Sequence, residues 1–260
     1  MAFFMENPLG IFDSGIGGLT LLPAITSLLP HENILYVADE AHSPYGKKSH
    51  KELLHRSRLL TKELIKRECK LIVVACNTAT TQVIKQLRDE FLIPFVGIEP
   101  GLKQAAEYTT SKVVGVLATE GTLNSSMYRE RAKQYEDELM IIEQVGHQLV
   151  NWIEEKKINT TAMQSQLQNY ITPMLTAGMD TFLLGCTHYP YLIPLLQELL
   201  PPQVKIMDNS AAIAQQIQRL LKKHKIVSSA QGKGIKTFYS TGKKNNLTHF
   251  VTEGVTHLPL

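Results

Sequence analysis

The sequence has few cysteines, and their spacing is not that of a zinc or disulfide motif. Only three occur in 260 residues, namely Cys69, Cys76 and Cys186. An odd number at wide spacing argues against a disulfide framework, and the lack of any C-x₂-C pair argues against a zinc site. We therefore expect no bound metal, while a catalytic role for cysteine stays open.

Signatures of membrane insertion and of nucleic-acid binding are also missing. No apolar run approaches the ~18 residues that a membrane span needs, and residues 1–6 lack the basic and apolar regions of a secretory signal. The formal net charge is only +3, and lysine and arginine are scattered along the chain. We expect a cytoplasmic protein that binds a small molecule, without nucleic acid or membrane. The sequence leaves a homodimer open.

Cofactor fingerprints are lacking as well. The glycine-rich stretch 15–18 follows a predicted strand, but it does not have the G-x-G-x-x-G spacing of a dinucleotide site. The chain has no G-x-x-x-x-G-K-[ST] phosphate loop, and no lysine is marked out for a Schiff base. We therefore expect a reaction that needs no cofactor.

What the chain does contain is an alternation of short apolar runs and amphipathic stretches. Strands are predicted at 9–12, 34–38, 71–75, 95–98, 113–118, 140–145, 181–184, 204–207 and 235–240. Helices are predicted at 19–28, 51–67, 79–90, 128–135, 148–155, 161–175, 190–199 and 209–221. This order is typical of α/β proteins with mostly parallel sheets covered by helices in three layers.

The two halves of the chain repeat one pattern. The stretch LIVVACNT at 71–78 has a counterpart in TFLLGCTH at 181–188, an offset of about 110 residues. We predict two similar α/β domains related by a pseudo-two-fold, one formed by residues 1–100 plus 208–260 and the other by residues 101–207. Ligands bind beyond the carboxyl ends of parallel strands, so we expect the active site between the domains.

Cys76 and Cys186 occupy equivalent strand ends in this repeat. A strand-end cysteine is more often a small buried apolar residue than a catalyst, and Cys69 keeps that interpretation. For the other two, the pairing favours a role in catalysis. Racemisation at a carbon needs a base on one face and an acid on the other, and two thiols that exchange these roles meet that need. Both positions open helices, whose positive ends are expected to lower a thiol's pKa.

Two titratable side chains accompany the cysteines. Asp13 ends the first strand and could hold or relay a proton beside Cys76, with a helix N-cap as the alternative. His188 could do the same beside Cys186. Groups suited to binding carboxylates follow the same strand ends, while the turn 43–46 could reach the cleft or be a plain turn. The polar residues at these strand ends are Ser14, Asn77, Thr78, Thr119 and Thr187.

These residues resemble those of a known family, the glutamate racemases of bacterial cell-wall synthesis. The resemblance covers nearly the whole chain. The matching stretches are IFDSGIGG at 11–18, VADEAHSPYG at 37–46, VACNTAT at 74–80, VGVLATEGT at 114–122, GCTHYP at 185–190 and DNSAA at 208–212. The Pro-Tyr-Gly block separates this family from its aspartate-racemase relatives.

The resemblance implies two α/β domains with the active site between them and cofactor-independent interconversion of L- and D-glutamate, which supplies D-glutamate for peptidoglycan. By position, Cys76 would deprotonate the D-enantiomer and Cys186 the L-enantiomer, assisted by Asp13 and His188. The implied substrate-binding residues are Asp13, Ser14, Pro44, Tyr45, Gly46, Asn77, Thr78, Thr119, Thr187 and His188.

The chain departs from the family pattern in the second half. Gly146-His147 stands where relatives usually have Cys-Pro, and Asn151 replaces a proline. Glu154 aligns best with the family's catalytic-side glutamate, with Glu155 one step away and a solvent-facing acid as the alternative. Glu40 occupies a position where a small or hydroxyl residue is more usual.

Two other functions stay open from the sequence. The departures near residue 146 allow a racemase of aspartate or another small acid on the same fold. A non-catalytic metabolite-binding module is the other alternative, although the intact pair of cysteines argues against it.

Overall fold

The structure is a computed structural model that describes residues 5–243 and 246–260. Residues 1–4 belong to the segment in which we found no secretory signal, and they lie outside the described residues. The strands are β1 (Leu9–Asp13), β2 (Ile34–Ala38), β3 (Leu71–Val74), β4 (Phe95–Gly97), β5 (Val113–Ala118), β6 (Met140–Val145), β7 (Thr181–Gly185), β8 (Lys205–Met207), β9 (Lys236–Ser240) and β10 (Val255–His257).

These strands form two parallel sheets. The first has the order β10-β9-β2-β1-β3-β4 and the second the order β6-β5-β7-β8. Every strand pair within the described residues is parallel. The prediction of two α/β domains with parallel sheets is confirmed, and each predicted strand matches an observed one to within one residue at either end.

Helices connect the strands and cover the sheets. They are α1 (Leu22–Leu28), α2 (His50–Lys66), α3 (Asn77–Glu90), α4 (Leu102–Tyr108), α5 (Glu120–Leu123), α6 (Ser126–Lys133), α7 (Leu149–Glu154), α8 (Thr161–Thr176), α9 (Ile193–Leu199) and α10 (Ser210–His224). Short 3₁₀ turns occupy Gly17–Leu21, Glu40–His42, Tyr45–Lys47, Tyr189–Leu192 and Asn246–His249. No helix in the described part of the chain is long and apolar enough to cross a bilayer.

The apolar strands are buried on both faces, as expected of central parallel strands. In β1, Leu9 and Ile11 join one core cluster while Phe12 joins another on the opposite face. The first of these clusters also contains Phe182 and Leu184 of β7, so apolar packing is continuous between the two sheets. The sheets are thereby held in a fixed relation around the cleft between them.

The structure corrects two predicted helices. The stretches 19–28 and 190–199 each begin as a 3₁₀ turn and become α-helical only at Leu22 and Ile193. The reason is the same in both halves: a proline, Pro23 or Pro194, lies in the first turn of the α-helix. Proline has no N–H to donate to an earlier carbonyl, so it is tolerated only at a helix start.

The C-terminal part of the chain returns to the first sheet. Strand β9 pairs with β2 from Ile34 opposite Lys236 to Ala38 opposite Ser240, and β10 adds to its outer edge. The sequence did not predict β10, α4 or α5, which are short. The domain boundaries after residues 100 and 207 stay a prediction, and the strands of the two sheets fall on either side of them.

Candidate active site

The carboxyl ends of β1, β3, β5 and β7 face one cleft between the sheets. The cleft has a volume of about 150 Å³, below the 300–1,000 Å³ typical of drug-sized pockets, so its size suits a small metabolite. Residues predicted from the sequence form much of its wall. Those that line it are Ser14, Pro44, Tyr45, Gly46, Cys76, Asn77, Thr78, Thr119, Cys186, Thr187 and His188.

Cys76 follows β3 and precedes α3, where its side chain is buried at 6% exposure. Burial raises the pKa of the Cys76 thiol well above its usual value, and the negative charges of Asp13 and Cys186 raise it further. Backbone N–H groups of Thr78 and Ala79 oppose this rise only in part. The expectation that the helix start lowers this pKa is therefore wrong, because desolvation outweighs the helix dipole.

Asp13 lies behind the cleft wall and is fully buried at the end of β1. Its Oδ2 accepts the N–H of Gly18 at 2.7 Å, inside the 3₁₀ turn Gly17–Leu21, but the N-cap residue of that turn is Ile16 and not Asp13. Burial raises the pKa of Asp13 to about 6, although His188 and the Gly18 N–H oppose the rise. A carboxyl group with a pKa near neutrality can both accept and release a proton, as a relay requires.

On the side of the cleft opposite Cys76, three side chains contact one another in series, namely those of Cys186, His188 and Glu154. The Sγ of Cys186 lies 4.0 Å from Nδ1 of His188, and Nε2 of His188 lies 2.7 Å from Oε1 of Glu154. Burial lowers the pKa of His188, but the interactions with Cys186 and Glu154 outweigh it and hold that pKa well above its usual value. His188 is thus placed to exchange a proton with Cys186.

Glu154 stands behind the cleft wall at the end of α7. Its Oε1 also accepts the N–H of Ile16 at 3.1 Å, from the other half of the molecule. Burial raises the pKa of Glu154, but the hydrogen bonds with His188 and the N–H of Ile16 bring it below its usual value. Glu155 is exposed and forms an ion pair with Lys157 at 2.6 Å. Of the two candidate glutamates, Glu154 is therefore the one that contacts His188.

The glycines after β1 allow the two halves to approach each other closely. A Cβ on Gly15 would lie 2.0 Å from Oε1 of Glu154, and one on Gly17 would lie 2.3 Å from Nδ1 of His188. Both distances are shorter than any real contact of a Cβ atom. The glycine-rich stretch therefore serves contact between the domains, and this explains it without a dinucleotide.

A buried polar network fixes the turn at residues 44–46. The hydroxyl of Tyr45 donates to Oδ2 of Asp39 at 2.5 Å, and Asp39 also accepts from Nε and the terminal nitrogen of Arg56, at 2.9 and 2.7 Å, and from Thr241 at 2.8 Å. Burial alone would raise the pKa of Asp39, but the hydrogen bonds from Arg56 and Tyr45 lower it. Because the Tyr45 hydroxyl is engaged with Asp39, the turn presents its backbone and ring to the cleft.

Hydroxyl groups join the two halves across the cleft. The Oγ1 atoms of Thr78 and Thr119 lie 2.8 Å apart, and Thr122 lies 2.9 Å from Thr119. The amide of Asn77 donates to the carbonyl of Ile98 at 3.2 Å. These contacts hold the first turn of α3 against the end of β5, where both present polar groups to a ligand.

Sequence reasoning did not assign a role to several residues that line the cleft. They are Lys47, Glu120, Val145, Gly146, His147, Gln148, Val150 and Asn151. The departures at Gly146, His147 and Asn151 were a signal, since they fall on the wall of the site. No cluster of histidine, cysteine and acidic side chains that could hold a metal occurs in the ranges 5–243 and 246–260.

Comparison with known proteins gives a consistent result. The sequence model of the Asp/Glu/hydantoin racemase family matches residues 20–217. A glutamate racemase from Ectopseudomonas mendocina is 43% identical over 238 residues, which are 91% of this chain and 90% of that protein. A glutamate racemase from Methylococcus capsulatus is 41% identical over 237 residues, covering 91% of this chain and 88% of the relative.

Two solved structures of glutamate racemases also resemble this chain. The crystal structure of a glutamate racemase from Bacillus anthracis superposes with a TM-score of 0.89 at 28% identity and covers 98% of each chain. That of the Escherichia coli glutamate racemase, in complex with L-glutamate and an activator, gives a TM-score of 0.83 at 31% identity and covers 97% of this chain and 98% of that one. The chain therefore belongs to the Asp/Glu/hydantoin racemase family and, within it, to the glutamate racemases.

Proposed function

We propose that this protein interconverts L- and D-glutamate by proton transfer between two cysteines, and so supplies D-glutamate for peptidoglycan. One observation carries the mechanism: Cys76 and Cys186 end equivalent strands of the two sheets and line the same cleft. The family, and the names of relatives that are 41–43% identical, support glutamate as the substrate.

In the direction from L to D, the thiolate of Cys186 removes the proton from the α-carbon. The thiol of Cys76 then delivers its proton to the opposite face, so that one thiol and one thiolate are present before and after the reaction. The reverse reaction exchanges these roles. Asp13 exchanges a proton with Cys76 and His188 with Cys186, which returns the two cysteines to their starting forms.

The raised pKa of Cys76 has a consequence for this mechanism. A buried thiolate beside Asp13 is costly by itself, but a substrate ammonium group brings a compensating positive charge. A thiolate with a high pKa is also a stronger base towards the weakly acidic α-proton. The same burial that disfavours the thiolate at rest therefore suits it to proton abstraction once substrate is bound.

The substrate carboxylates need donors, and the cleft has them on both sides. We propose that Ser14, Asn77, Thr78, Thr119 and Thr187 bind them through hydroxyl, amide and backbone N–H groups, together with the backbone of residues 44–46. The first turn of α3 supports this, because unpaired N–H groups at a helix start favour anions.

All three cysteines are free thiols in the structure. The cytoplasm as the site of action stays a prediction. The homodimer stays a prediction, to be measured by light scattering.

The decisive experiment is incubation with L-glutamate and, separately, with D-glutamate in deuterated water. We expect the opposite enantiomer to form with deuterium at the α-carbon, and Cys76→Ala and Cys186→Ala each to abolish its formation. Cys69→Ala is the matched control, because Cys69 is buried at the opposite end of the first sheet, packed against Gly10.

Folded wild-type protein that formed no opposite enantiomer would refute the proposal. A panel of other amino acids belongs to the same experiment. Faster turnover of aspartate than of glutamate would identify the substrate as aspartate.

A further inference from the structure

Glu40, one of the residues that depart from the family pattern, makes a specific set of contacts. It follows β2 in the 3₁₀ turn Glu40–His42, and its side chain is half-buried. Its Oε1 accepts the N–H of Leu247 at 3.0 Å, and its Oε2 accepts the hydroxyl of Ser240. Both carboxylate oxygens of Glu40 are thus hydrogen-bonded to the C-terminal part of the chain.

The segment that Glu40 holds is the turn Asn246–His249. Leu247 is fully buried in the core cluster that joins the two sheets. The ring of Phe250, the next residue after the turn, packs edge-on against Tyr191 with centroids 5.6 Å apart. The ammonium group of Lys156 lies 5.2 Å from the centre of the Phe250 ring, and it donates to the carbonyl of His249 at 3.4 Å. The turn therefore connects the first sheet to the end of α7.

The end of α7 is where Glu154 lies. The side chain of Asn246, in the same turn, contributes to lowering the pKa of the Glu154 carboxylate. Tyr191, against which Phe250 packs, donates to the carbonyl of Ile16 at 3.4 Å, and the N–H of Ile16 is bonded to Glu154. The packing of Phe250 on Tyr191 and the hydrogen bonds through Ile16 thus connect the turn with Glu154.

The charge on Glu40 needs an explanation of its own. Burial raises the pKa of Glu40, and the nearby carboxylate of Glu154 raises it further, while Ser240 and Leu247 lower it. A half-buried acid close to another acid is unfavourable unless its hydrogen bonds compensate. A small or hydroxyl side chain at this position could not reach Leu247 and Ser240 together.

We propose that Glu40 is a positioning residue, which fixes the turn Asn246–His249 so that Glu154 is held in place to orient His188 beside Cys186. This proposal rests on the proposed two-cysteine reaction and adds a residue from the other half of the molecule to the Cys186 side. It predicts an effect on one of the two proton transfers only.

The test compares Glu40→Ala with Glu40→Gln, which keeps one oxygen to accept the N–H of Leu247 and offers an amide N–H that can donate to the hydroxyl oxygen of Ser240. Turnover is measured in both directions with substrates that carry hydrogen or deuterium at the α-carbon. In Glu40→Ala we expect kcat to fall about 3- to 10-fold, with a larger isotope effect on L-glutamate, where Cys186 abstracts the proton, and a smaller one on D-glutamate. Glu40→Gln should restore values near those of the wild type.

A purely structural role would lower stability without moving the two isotope effects in opposite directions. Glu253→Gln is the matched control, since Glu253 lies in the same C-terminal region and its contacts, a 3.9 Å pair with Lys236 and a 3.0 Å hydrogen bond from Thr252, are exposed. Isotope effects in Glu40→Ala that equal those of this control, or that change equally in both directions, overturn the proposal.

If Glu40→Ala does not fold, Phe250→Leu interrupts the same connection at its far end. It should shift the isotope effects in the same opposite directions, and unchanged values there overturn the proposal as well. Racemisation by the wild type in the same assays keeps this outcome separate from a failure of the proposed function.

Discussion

Oε1 of Glu154 is shared between Nε2 of His188 at 2.7 Å and the N–H of Ile16 at 3.1 Å. One carboxylate thus links the Cys186 side of the site to the loop that follows Asp13.

Replacing Glu154 by Gln should weaken catalysis without unfolding the protein. The amide oxygen can still accept from Ile16, but the loss of charge lowers the pKa of His188. We expect kcat to fall by about 10- to 100-fold, less than the roughly 10²- to 10⁴-fold that a direct general acid or base contributes, because Glu154 acts through His188, and we expect the alkaline limb of the pH–rate profile to move to lower pH. Steady-state kinetics from pH 6 to about 10 measure both.

The matched control for this substitution is Glu155→Gln. Glu155 is the neighbouring acid, exposed and paired with Lys157, so its kinetics should equal those of the wild type. An equal loss of activity in both variants would mean that the effect of Glu154→Gln does not come from the contact between Glu154 and His188.

Asp13 should control an acidic limb of the pH–rate profile. Its buried carboxyl has a pKa of about 6, and only the ionised form can accept a proton from Cys76. With D-glutamate, from which Cys76 removes the α-proton, the rate should therefore rise as pH increases through about 6, and Asp13→Asn should lower the rate and remove this limb. Asp137→Asn, at an exposed position, should leave the profile unchanged. Persistence of the limb in Asp13→Asn would assign it to another group.

Arg56→Met should destabilise the fold through Asp39. The Asp39 side chain is fully buried and that of Arg56 is 7% exposed, and breaking a buried pair costs about 3–5 kcal/mol because one charge stays behind. The matched control is Arg58→Met, which removes the ion pair between Arg58 and Glu90. The two side chains of this pair are 41% and 33% exposed, and such exposed pairs contribute about 0–1 kcal/mol to stability. Urea unfolding at pH 7 compares the free energies of unfolding.

The same pair predicts the direction of the pH dependence. The pKa of Asp39 is lower in the folded protein than in the unfolded chain. Asp39 therefore contributes its full stability above its unfolded pKa of about 3.9. This contribution is lost as the pH falls through the pKa that Asp39 has in the folded protein. The difference between wild type and Arg56→Met should therefore shrink below about pH 4. A difference that is constant from pH 7 to about pH 3 would exclude Asp39 as its source.

Gly17→Ala should damage the site by contact alone. The added Cβ would lie 2.3 Å from Nδ1 of His188, so the imidazole must move away from Cys186 or the two halves must separate. We expect a loss of about 1–3 kcal/mol in stability, as for other overpacked sites, together with a lower kcat. Gly254→Ala meets nothing within 4 Å and should alter neither quantity, which thermal unfolding and kinetics can verify.

The strands and the two cysteines could be predicted from the sequence. The strands are continuous apolar runs, and each cysteine lies in one of two similar stretches of the chain. The sequence could not choose between Glu154 and Glu155, which are adjacent and chemically alike. That choice depends on which one faces His188 across the tertiary structure. The start of α3 suggested a lowered pKa for Cys76, but the degree of burial, which reverses the direction, depends on packing from distant elements. The contacts of Glu40 with Ser240 and Leu247 were likewise inaccessible, since 200 and 207 residues separate the partners.

The pairing of β9 with β2 also has a consequence for synthesis of the protein. When β2 leaves the ribosome, its partner at residues 236–240 has not been made, and translation proceeds at about 5–20 residues per second. The outer edge of β2 therefore stays unpaired for roughly 10–40 seconds at that speed, while the whole second sheet is translated. Since unpaired strand edges promote aggregation, the nascent chain should depend most on chaperones during this interval, and truncation before residue 236 should yield insoluble protein.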